Sequence, residues 1–239
     1  MTLKAVLFDF NGVIINDEPV HEKLIEEILL AENLRPQGGE FQRFCLGRSD
    51  RACLRDILNH RGRVVNETYL TQLIDRKAKA YTLQLEAIEE LPLFPGLEEL
   101  ISQIRAQHLK LAVVSGAIRQ EIELVLTRTN LAPYFCVIVG GDDISTSKPE
   151  PDGYLLAVER LNQLYSELDL KPAECLAIED TPAGIQAAKR AGIQVVAVAH
   201  TYPLHMLQRQ ANWVVDYLND LELERVQQLF AQKVPQRQA

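Results

Sequence analysis

The sequence predicts an α/β protein, a doubly wound parallel sheet with an α-helical cap domain inserted into it. Three observations support this prediction. Short, continuous apolar runs alternate with helix-period segments along most of the chain. Runs without polar alternation suit strands that are buried on both faces of a parallel sheet. One long segment, residues 17–91, breaks the alternation and carries only helical patterning.

Six apolar runs are the predicted strands. They cover residues 3–8, 109–114, 136–139, 175–178, 194–199 and 213–215. Four segments between them have the apolar spacing of amphipathic helices, at residues 96–107, 119–129, 153–164 and 182–191. The fourth begins at Pro182 and stops before Gly192, in agreement with ordinary helix capping. This alternation predicts a Rossmann-like core with helices on both faces of the sheet.

The segment 17–91 is predicted to be a helical cap. Two sets of apolar residues fall on single helix faces there, namely Leu24, Ile25, Ile28 and Leu29, and Leu70, Leu73 and Ile74. The chain re-enters the core near 92–96, where two prolines and a glycine stand close together. We therefore predict a discontinuous α/β catalytic core at 1–16 and 92–233, a helical cap domain at 17–91 and a flexible tail at 234–239.

Composition and charge exclude several classes of protein. Of the 239 residues, 47% are hydrophobic and 24% charged, which is typical of a folded chain and not of a disordered one. The 25 Lys and Arg against 33 Asp and Glu give a net charge of −8. Because no basic block attracts a polyanion, we predict neither nucleic-acid binding nor membrane attachment. A pocket for one small phosphate remains compatible with this charge.

Cysteine usage and hydropathy favour an intracellular protein. The four cysteines, Cys45, Cys53, Cys136 and Cys175, are scattered and show no C-x-x-C spacing. We expect reduced thiols rather than a disulfide framework or a structural zinc site. The first apolar run is too short for a signal peptide, and no stretch approaches the roughly 20 apolar residues that cross a bilayer. We therefore predict a cytoplasmic protein, and we expect it to be a monomer.

Polar residues stand where the predicted strands end. Asp9, Ser115 and the pair Glu179 and Asp180 take these positions, and Lys148 lies on a loop after another strand. The carboxyl ends of parallel strands meet at one edge of a sheet, where ligands bind. Three carboxylates in one crevice repel unless a cation joins them, and Mg²⁺ with a substrate phosphate suits such a crevice. Ser115 and Lys148 would then hold the phosphate oxygens.

Four ordered motifs carry a family resemblance. They are Asp9-Phe10-Asn11-Gly12-Val13, Ser115-Gly116, Lys148-Pro149 and Ile178-Glu179-Asp180-Thr181-Pro182-Ala183-Gly184-Ile185. They resemble the motifs of the haloacid dehalogenase-like (HAD) superfamily, and most closely its β-phosphoglucomutase-like phosphatase branch, which has a helical cap after the first motif. The resemblance covers nearly the whole chain, from about residue 3 to 213.

The resemblance implies a Mg²⁺-dependent phosphohydrolase that acts on a small phosphorylated metabolite such as a sugar phosphate. Asp9 would be the nucleophile and form an aspartyl-phosphate, which water then hydrolyses. Lys148 would lower the repulsion between Asp9 and the substrate. The implied Mg²⁺ ligands or ligand supports are Asp9, the main-chain carbonyl of Asn11, Glu179 and Asp180, and the implied phosphate-binding residues are Ser115, Gly116 and Lys148.

The sequence departs from the family pattern at Asn11, where this branch carries a second Asp as general acid and base. A neutral amide has no carboxyl proton to give and cannot act as a base. Either Asp17 or His21 takes over, or the leaving group needs little protonation, or the protein is a phosphometabolite-binding or regulatory protein with little turnover. For an enzyme, we expect slow turnover that Asn11→Asp raises and Asp9→Asn abolishes.

The cap adds four candidate substrate contacts that also come from the resemblance. They are His21, Arg48, Arg51 and Lys77. Asp50 stands where a mutase of this branch would carry an arginine for a second phosphate. A phosphomutase is therefore the lesser alternative.

Overall fold

Six parallel strands form one sheet in the computed structural model, which describes residues 2–232. They are β1 Ala5–Phe8, β2 Lys110–Val114, β3 Val137–Val139, β4 Cys175–Glu179, β5 Gln194–Val198 and β6 Trp213–Val215. Their spatial order is β3-β2-β1-β4-β5-β6. The chain thus builds outward from β1 on one side and then returns to build outward on the other. This is the predicted doubly wound, Rossmann-like arrangement.

Ten α-helices lie within the described residues. The segment between β1 and β2 contains α1 Glu18–Ala31, α2 Glu40–Phe44, α3 Asp50–His60, α4 Glu67–Glu86 and α5 Leu97–Ala106. The later ones are α6 Arg119–Arg128, α7 Asp152–Leu164, α8 Pro182–Arg190, α9 Leu204–Leu207 and α10 Leu223–Gln232. None of the helices within residues 2–232 has the length and apolar character needed to cross a membrane. The predicted tail at 234–239 lies outside the described residues.

The strands are continuously apolar because helices cover both faces of the sheet. Successive side chains of a strand point to opposite faces. Val6 and Phe8 therefore pack in one cluster, with residues of α5 and α6. Ala5 and Leu7 pack in another, with residues of α7 and α8. Both faces of β1 are buried, which is why its sequence does not alternate.

Helices α1 to α4 bury a separate apolar cluster over residues 25–74. Ordinary caps begin two of them, since Ser49 accepts a hydrogen bond from the Ala52 amide and Asn66 accepts one from the Tyr69 amide. Ile118, which precedes α6, packs against this cluster from the sheet side. We call helices α1 to α4 the cap and the remainder the core. Their division into separate domains stays a prediction.

One pair of cysteines differs from the expectation. Cys45 and Cys53 form a disulfide between the end of α2 and the interior of α3. The expectation of four reduced thiols is therefore wrong for this pair, whereas Cys136 and Cys175 are free. The turn between the two helices brings the Cα atoms to 4.5 Å. That proximity depends on how the helices pack and leaves no mark in the cysteine spacing.

Candidate active site

The sheet brings the predicted strand-end residues to one edge. Asp9 follows β1, Ser115 follows β2 and Asp180 follows β4, with β1 between the other two strands. The Asp9 amide donates to the Ile178 carbonyl at 3.0 Å and so continues the pairing of β1 with β4. This edge lies where the strand order reverses, the usual place for a ligand in an open α/β sheet.

Asp9, Glu179 and Asp180 form a buried carboxylate cluster. One carboxylate oxygen from each lies within 4.8 Å of the other two. Lys148 joins the cluster, with Nζ 2.8 Å from Asp9 Oδ1 and 2.6 Å from Glu179 Oε1. The Tyr154 hydroxyl donates to the same Glu179 oxygen at 2.5 Å. The structure thus brings together four residues that the sequence predicts for one site.

Burial and mutual repulsion control the ionisation of this cluster. Burial, followed by repulsion from Asp9, raises the pKa of Glu179 to about 8. The same two causes, with Glu179 in addition, raise the pKa of Asp180 well above its ordinary value. Burial lowers the pKa of Lys148, but Asp9 and Glu179 outweigh it and hold that pKa above the ordinary value. The cluster therefore favours any cation that reduces its negative charge.

The cluster fits a hard divalent cation such as Mg²⁺. Glu179 Oε2 and both Asp180 oxygens are buried without a hydrogen bond. The Thr201 hydroxyl lies near Asp180 and favours its charged form, though not in hydrogen-bonding geometry. Three carboxylates and one ammonium leave a formal charge of −2, which one divalent cation balances. Oxygen ligands of this kind are the ones that Mg²⁺ takes.

Two motif glycines leave room for these carboxylates. A Cβ at Gly12, whose φ is +78°, would overlap the Asp180 carboxylate. A Cβ at Gly184 would overlap the Glu179 carboxylate. Both positions therefore need glycine, because the backbone approaches a charged side chain closely.

The predicted phosphate-binding turn follows β2. Ser115 is buried, and its Oγ accepts a hydrogen bond from the Ala117 amide at 3.0 Å. Gly116 and Ala117 line the cavity that Asp9 also lines. The turn therefore lies beside the carboxylate cluster, as the strand-end positions predict.

Asn11 belongs to a second buried network next to Asp9. Its Nδ2 donates to both oxygens of Asp17, at 3.0 and 3.1 Å, and lies 3.0 Å from His21 Nε2. Asp17 also accepts a hydrogen bond from the Tyr81 hydroxyl at 2.5 Å. The His21 ring stacks on Tyr81 with the centroids 4.8 Å apart. The carboxylate that is missing at Asn11 is therefore present one hydrogen bond away, at Asp17.

Asp17 and His21 form an ion pair within this network. Burial raises the pKa of Asp17, but His21, Asn11 and Tyr81 outweigh it, so that the pKa falls below its ordinary value. Burial and Lys77 lower the pKa of His21. The pairing with Asp17 outweighs them, so that the pKa of His21 lies above its ordinary value. Asp17 is fully buried, whereas His21 lines the cavity beside Asp9. Of the two predicted substitutes, only His21 faces the cavity.

The cavity contains a carboxyl that the motifs do not indicate. Glu18, the first residue of α1, lines it together with Asp9 and Asn11. Burial, with repulsion from Asp17 and Asp9, raises the pKa of Glu18 to about 7. In sequence, an acidic residue in the first turn of a helix is explained by the helix dipole alone. In the sequence, the position of Glu18 next to Asp17 and close after the first motif is the one sign that it belongs to the site.

Helices α2 and α3 of the cap, with the turn between them, form the wall opposite Asp9. The lining residues of this wall are Phe41, Cys45, Gly47, Arg48, Asp50 and Cys53. Arg48 Nη2 lies 2.7 Å from Asp56 Oδ2, and Nη1 donates to the Phe44 carbonyl at 3.1 Å. Arg48 Nε is buried and has no acceptor. Arg48 therefore reaches the cavity, as predicted, but its charge is already paired.

Lys77 and Arg51 do not line the cavity. Lys77 Nζ lies 2.7 Å from Asp50 Oδ2 and 3.5 Å from Glu121 Oε1, so it reaches the cavity only through Asp50. Arg51 pairs with Glu67 at 2.7 Å near the surface of the cap. Arg51 points away from the cavity, because consecutive residues of a helix point about 100° apart and Asp50 takes the inward position. Its contact with a substrate stays a prediction.

The cap closes over the site. The Ser49 amide donates to Ser147 Oγ at 2.8 Å, next to Lys148. A Cβ at Gly116 would lie 2.6 Å from the Arg48 carbonyl oxygen, so the two loops are in close contact. The cavity between the cap and the core measures about 30 Å³, which is room for roughly one water molecule. A substrate can therefore enter only when the cap opens.

The ordered motifs and their convergence on one buried cluster agree with comparison to known families. The profile of the family described as haloacid dehalogenase-like hydrolase matches residues 6–198. This chain belongs to that family. The haloacid dehalogenase-like match spans β1 to β5, including all four motifs and the cap, and it confirms the resemblance found in the sequence.

Individual relatives match over most of their length. The chain is 28% identical to the phosphorylated carbohydrates phosphatase of Thermotoga maritima, over 83% of this chain and 87% of that protein. It is 30% identical to the beta-phosphoglucomutase of Bacillus subtilis, over 96% of each. The crystal structure of the beta-phosphoglucomutase from Clostridium difficile has a TM-score of 0.83 over 96% of this chain and 98% of that chain, at 22% identity. The last comparison shows a shared fold.

Proposed function

We propose that this protein is a Mg²⁺-dependent phosphohydrolase that acts on a small phosphorylated metabolite through an aspartyl-phosphate on Asp9. One observation carries the proposal, the buried cluster of Asp9, Glu179 and Asp180 with Lys148 under a closed cap. Membership of a hydrolase family agrees with it. The relatives named for phosphorylated carbohydrates and phosphoglucose favour a sugar phosphate as the substrate.

Asp9 is held in position before a substrate arrives. Its Oδ1 accepts a hydrogen bond from the Phe10 amide at 2.8 Å and forms an ion pair with Lys148 at 2.8 Å. A fixed carboxylate needs no reorientation to attack phosphorus. As the bond between Asp9 and phosphorus forms, the bond to the leaving oxygen breaks. Water then attacks the same phosphorus, releases phosphate and restores Asp9.

The cation would be held by Asp9, Asp180, Glu179 and the main-chain carbonyl of Asn11. When bound, it neutralises charge on the transferring phosphoryl group. Lys148 keeps its proton and offsets charge on the same side. Ser115 and Gly116 offer a hydroxyl and a main-chain amide to the phosphoryl oxygens.

We assign the missing proton transfer to Glu18. It is a carboxyl in the cavity that Asp9 lines, and its pKa of about 7 suits a group that must both give and take a proton. Asp17 is fully buried, and His21 Nε2 lies 3.2 Å from the Asp17 carboxylate. These two residues hold the Asn11 side chain in place, while Glu18 serves the leaving oxygen and then the water.

The wall opposite Asp9 favours a substrate with one phosphate. Arg48 is paired with Asp56, and Lys77 is paired with Asp50 and Glu121. Both cations near this wall are thus already paired, and the carboxyl groups of Glu18 and Asp50 offer hydrogen-bond partners for the hydroxyl groups of a substrate. This charge pattern supports hydrolysis of a hydroxylated monophosphate over a mutase reaction that needs two phosphates.

The proposal is tested by phosphate release from a panel of sugar and other small monophosphates and bisphosphates, with Mg²⁺ and with EDTA. We expect Mg²⁺-dependent release from monophosphates, which Asp9→Asn abolishes. Glu18→Gln should lower kcat by about 100-fold or more, and His21→Gln should lower it less. If phosphorylated compounds bind tightly and none turns over, the protein is instead a binding protein.

A further inference from the structure

We propose that the Cys45–Cys53 disulfide is a reversible redox-modification site, opened by a dithiol, that controls how well the cap binds substrate. The effect on activity rests on the proposed function. The modification itself does not, because it can be followed on the cysteines alone.

The disulfide closes the segment that forms the cap wall of the cavity. The bonded residues are eight positions apart. Cys45 and Cys53 both line the cavity, and so do Gly47, Arg48 and Asp50 between them. Almost the whole wall opposite Asp9 therefore belongs to one covalent ring, which we call the 45–53 ring.

The 45–53 ring also makes two close contacts between the cap and the core. Its Ser49 amide donates to Ser147, one residue before Lys148. Its Gly47 lies so close to Thr181 that a Cβ there would overlap the threonine hydroxyl. A change in the conformation of the ring therefore alters contacts next to Lys148 and Asp180, which are predicted to bind phosphate and metal.

Opening the bridge increases the conformational freedom of this ring. The helix that precedes it, α2, has only five residues and contributes little rigidity of its own. If the ring must become ordered when substrate binds, the protein binds that substrate more weakly, because ordering the ring costs conformational entropy. The oxidised ring is already ordered, so the oxidised protein should bind substrate more tightly.

The bridge can be reached from the cavity once the cap opens. Both residues are buried, but Cys45 is 7% exposed and Cys53 1% exposed, so we expect attack at Cys45. The two free cysteines stand elsewhere, since Cys136 precedes β3 and Cys175 begins β4, at the amino ends of the strands. They lie at the edge of the sheet opposite Asp9 and cannot exchange with the bridge.

The exchange is a two-electron reduction by a dithiol. One reductant thiolate attacks Cys45 Sγ, the bond to Cys53 breaks, and Cys53 leaves as a thiolate. The second reductant thiolate then attacks the reductant's own sulfur in this mixed disulfide and releases the Cys45 thiolate. The two protons of the reductant pass to Cys45 and Cys53, and the reductant becomes a disulfide. A disulfide oxidant reverses the steps.

The test combines thiol counting with kinetics on the folded protein. Alkylation after unfolding should label two cysteines in the oxidised protein and four after treatment with dithiothreitol under native conditions. Reduction should raise KM for a monophosphate substrate by about fivefold and leave kcat within about twofold. Cys45→Ser and Cys53→Ser should have the KM of the reduced protein, and dithiothreitol should not change it. Cys136→Ser should respond to dithiothreitol like the unaltered protein.

Three results would overturn the proposal. The first is four labelled cysteines without reductant. The second is a bridge that dithiothreitol opens only after unfolding. The third is an equal KM in both redox states, or equal affinity for inorganic phosphate if no substrate turns over. Because thiol counting is independent of turnover, a failure of the phosphatase proposal leaves the first two results readable.

Discussion

At the scale of single residues, the amide of Asn11 and the carboxylate of Asp17 form one hydrogen-bonded unit. Nδ2 donates to both carboxylate oxygens, and Tyr81 and His21 complete the shell around Asp17. An amide suits position 11 because a second carboxylate there would face Asp17 at hydrogen-bonding distance. The departure from the family pattern and the acid at position 17 therefore belong together.

This pairing sets a condition on the expected gain from Asn11→Asp. The single variant places two carboxylates about 3 Å apart in a buried site, so we expect a loss of about 2 kcal/mol in the free energy of unfolding. The double variant Asn11→Asp/Asp17→Asn exchanges the two groups and should recover most of the lost free energy of unfolding. Denaturant unfolding measures both. A single variant as stable as the unaltered protein would contradict the pairing.

Glu18 gives a prediction for pH dependence. A general acid acts only while protonated, and the pKa of Glu18 is about 7. The value of kcat/KM, which reports the transfer to Asp9, should therefore fall as pH rises through about 7. Glu18→Gln should remove this alkaline decline along with most of the rate, and His21→Gln should keep it. A decline that survives Glu18→Gln would assign the proton to another group.

At the scale of elements, Lys77 of α4 links the cap to α6 of the core. Its fully buried ammonium pairs with Asp50 at 2.7 Å and with Glu121 at 3.5 Å. Neither Glu121 oxygen has a hydrogen bond, and burial raises the pKa of this carboxyl. The charge of Lys77 therefore keeps two carboxylates buried at the junction of cap and core.

Removal of that charge should be costly. We expect Lys77→Met to lower the free energy of unfolding by about 3 kcal/mol, because it leaves Asp50 and Glu121 without their cation. Lys23→Met is a matched control, since Lys23 pairs with Glu27 at 3.9 Å on the exposed side of α1 and should contribute little. Equal stability of the two variants would show that the buried link is not important for folding.

The strands and the polar residues at their ends could be predicted because both have local causes. A strand that is buried on both faces has a continuous apolar sequence. The residue after the strand lies at the edge of the sheet, whatever the structure of the segment that comes next. Glu18 and the Cys45–Cys53 pair could not, since their roles depend on how the cap docks. Arg51 shows the same limit, because the sequence does not show the helix phase that turns Asp50 inward and Arg51 outward.

At the scale of the whole molecule, a chain of net charge −8 concentrates three buried carboxylates at one sheet edge. Burial and repulsion raise the pKa of Glu179 to about 8, above the 4.5 of an unperturbed Glu. Between pH of about 4.5 and about 8, Glu179 therefore holds a proton in the folded protein that it releases in the unfolded chain. The free energy of unfolding without metal should therefore fall as pH rises from about 4.5 to about 8.

Mg²⁺ should reverse this loss. A cation competes with protons for the cluster, so its binding and its stabilisation both increase with pH. We expect the gain in Tm with Mg²⁺ over EDTA to be larger above pH of about 8 than well below it. Thermal unfolding at several pH values measures this gain, and Asp180→Asn should reduce it. A gain that does not change with pH would contradict a proton-coupled metal site.

The most direct test of Asp9 as the nucleophile is the mass of the quenched enzyme during turnover of a monophosphate with Mg²⁺. We predict the added mass of one phosphoryl group on the peptide that contains Asp9, present in Asp17→Asn and absent in Asp9→Asn. Steady phosphate release without a phosphorylated enzyme, or a phosphoryl group that persists in Asp9→Asn, would contradict the proposed role of Asp9.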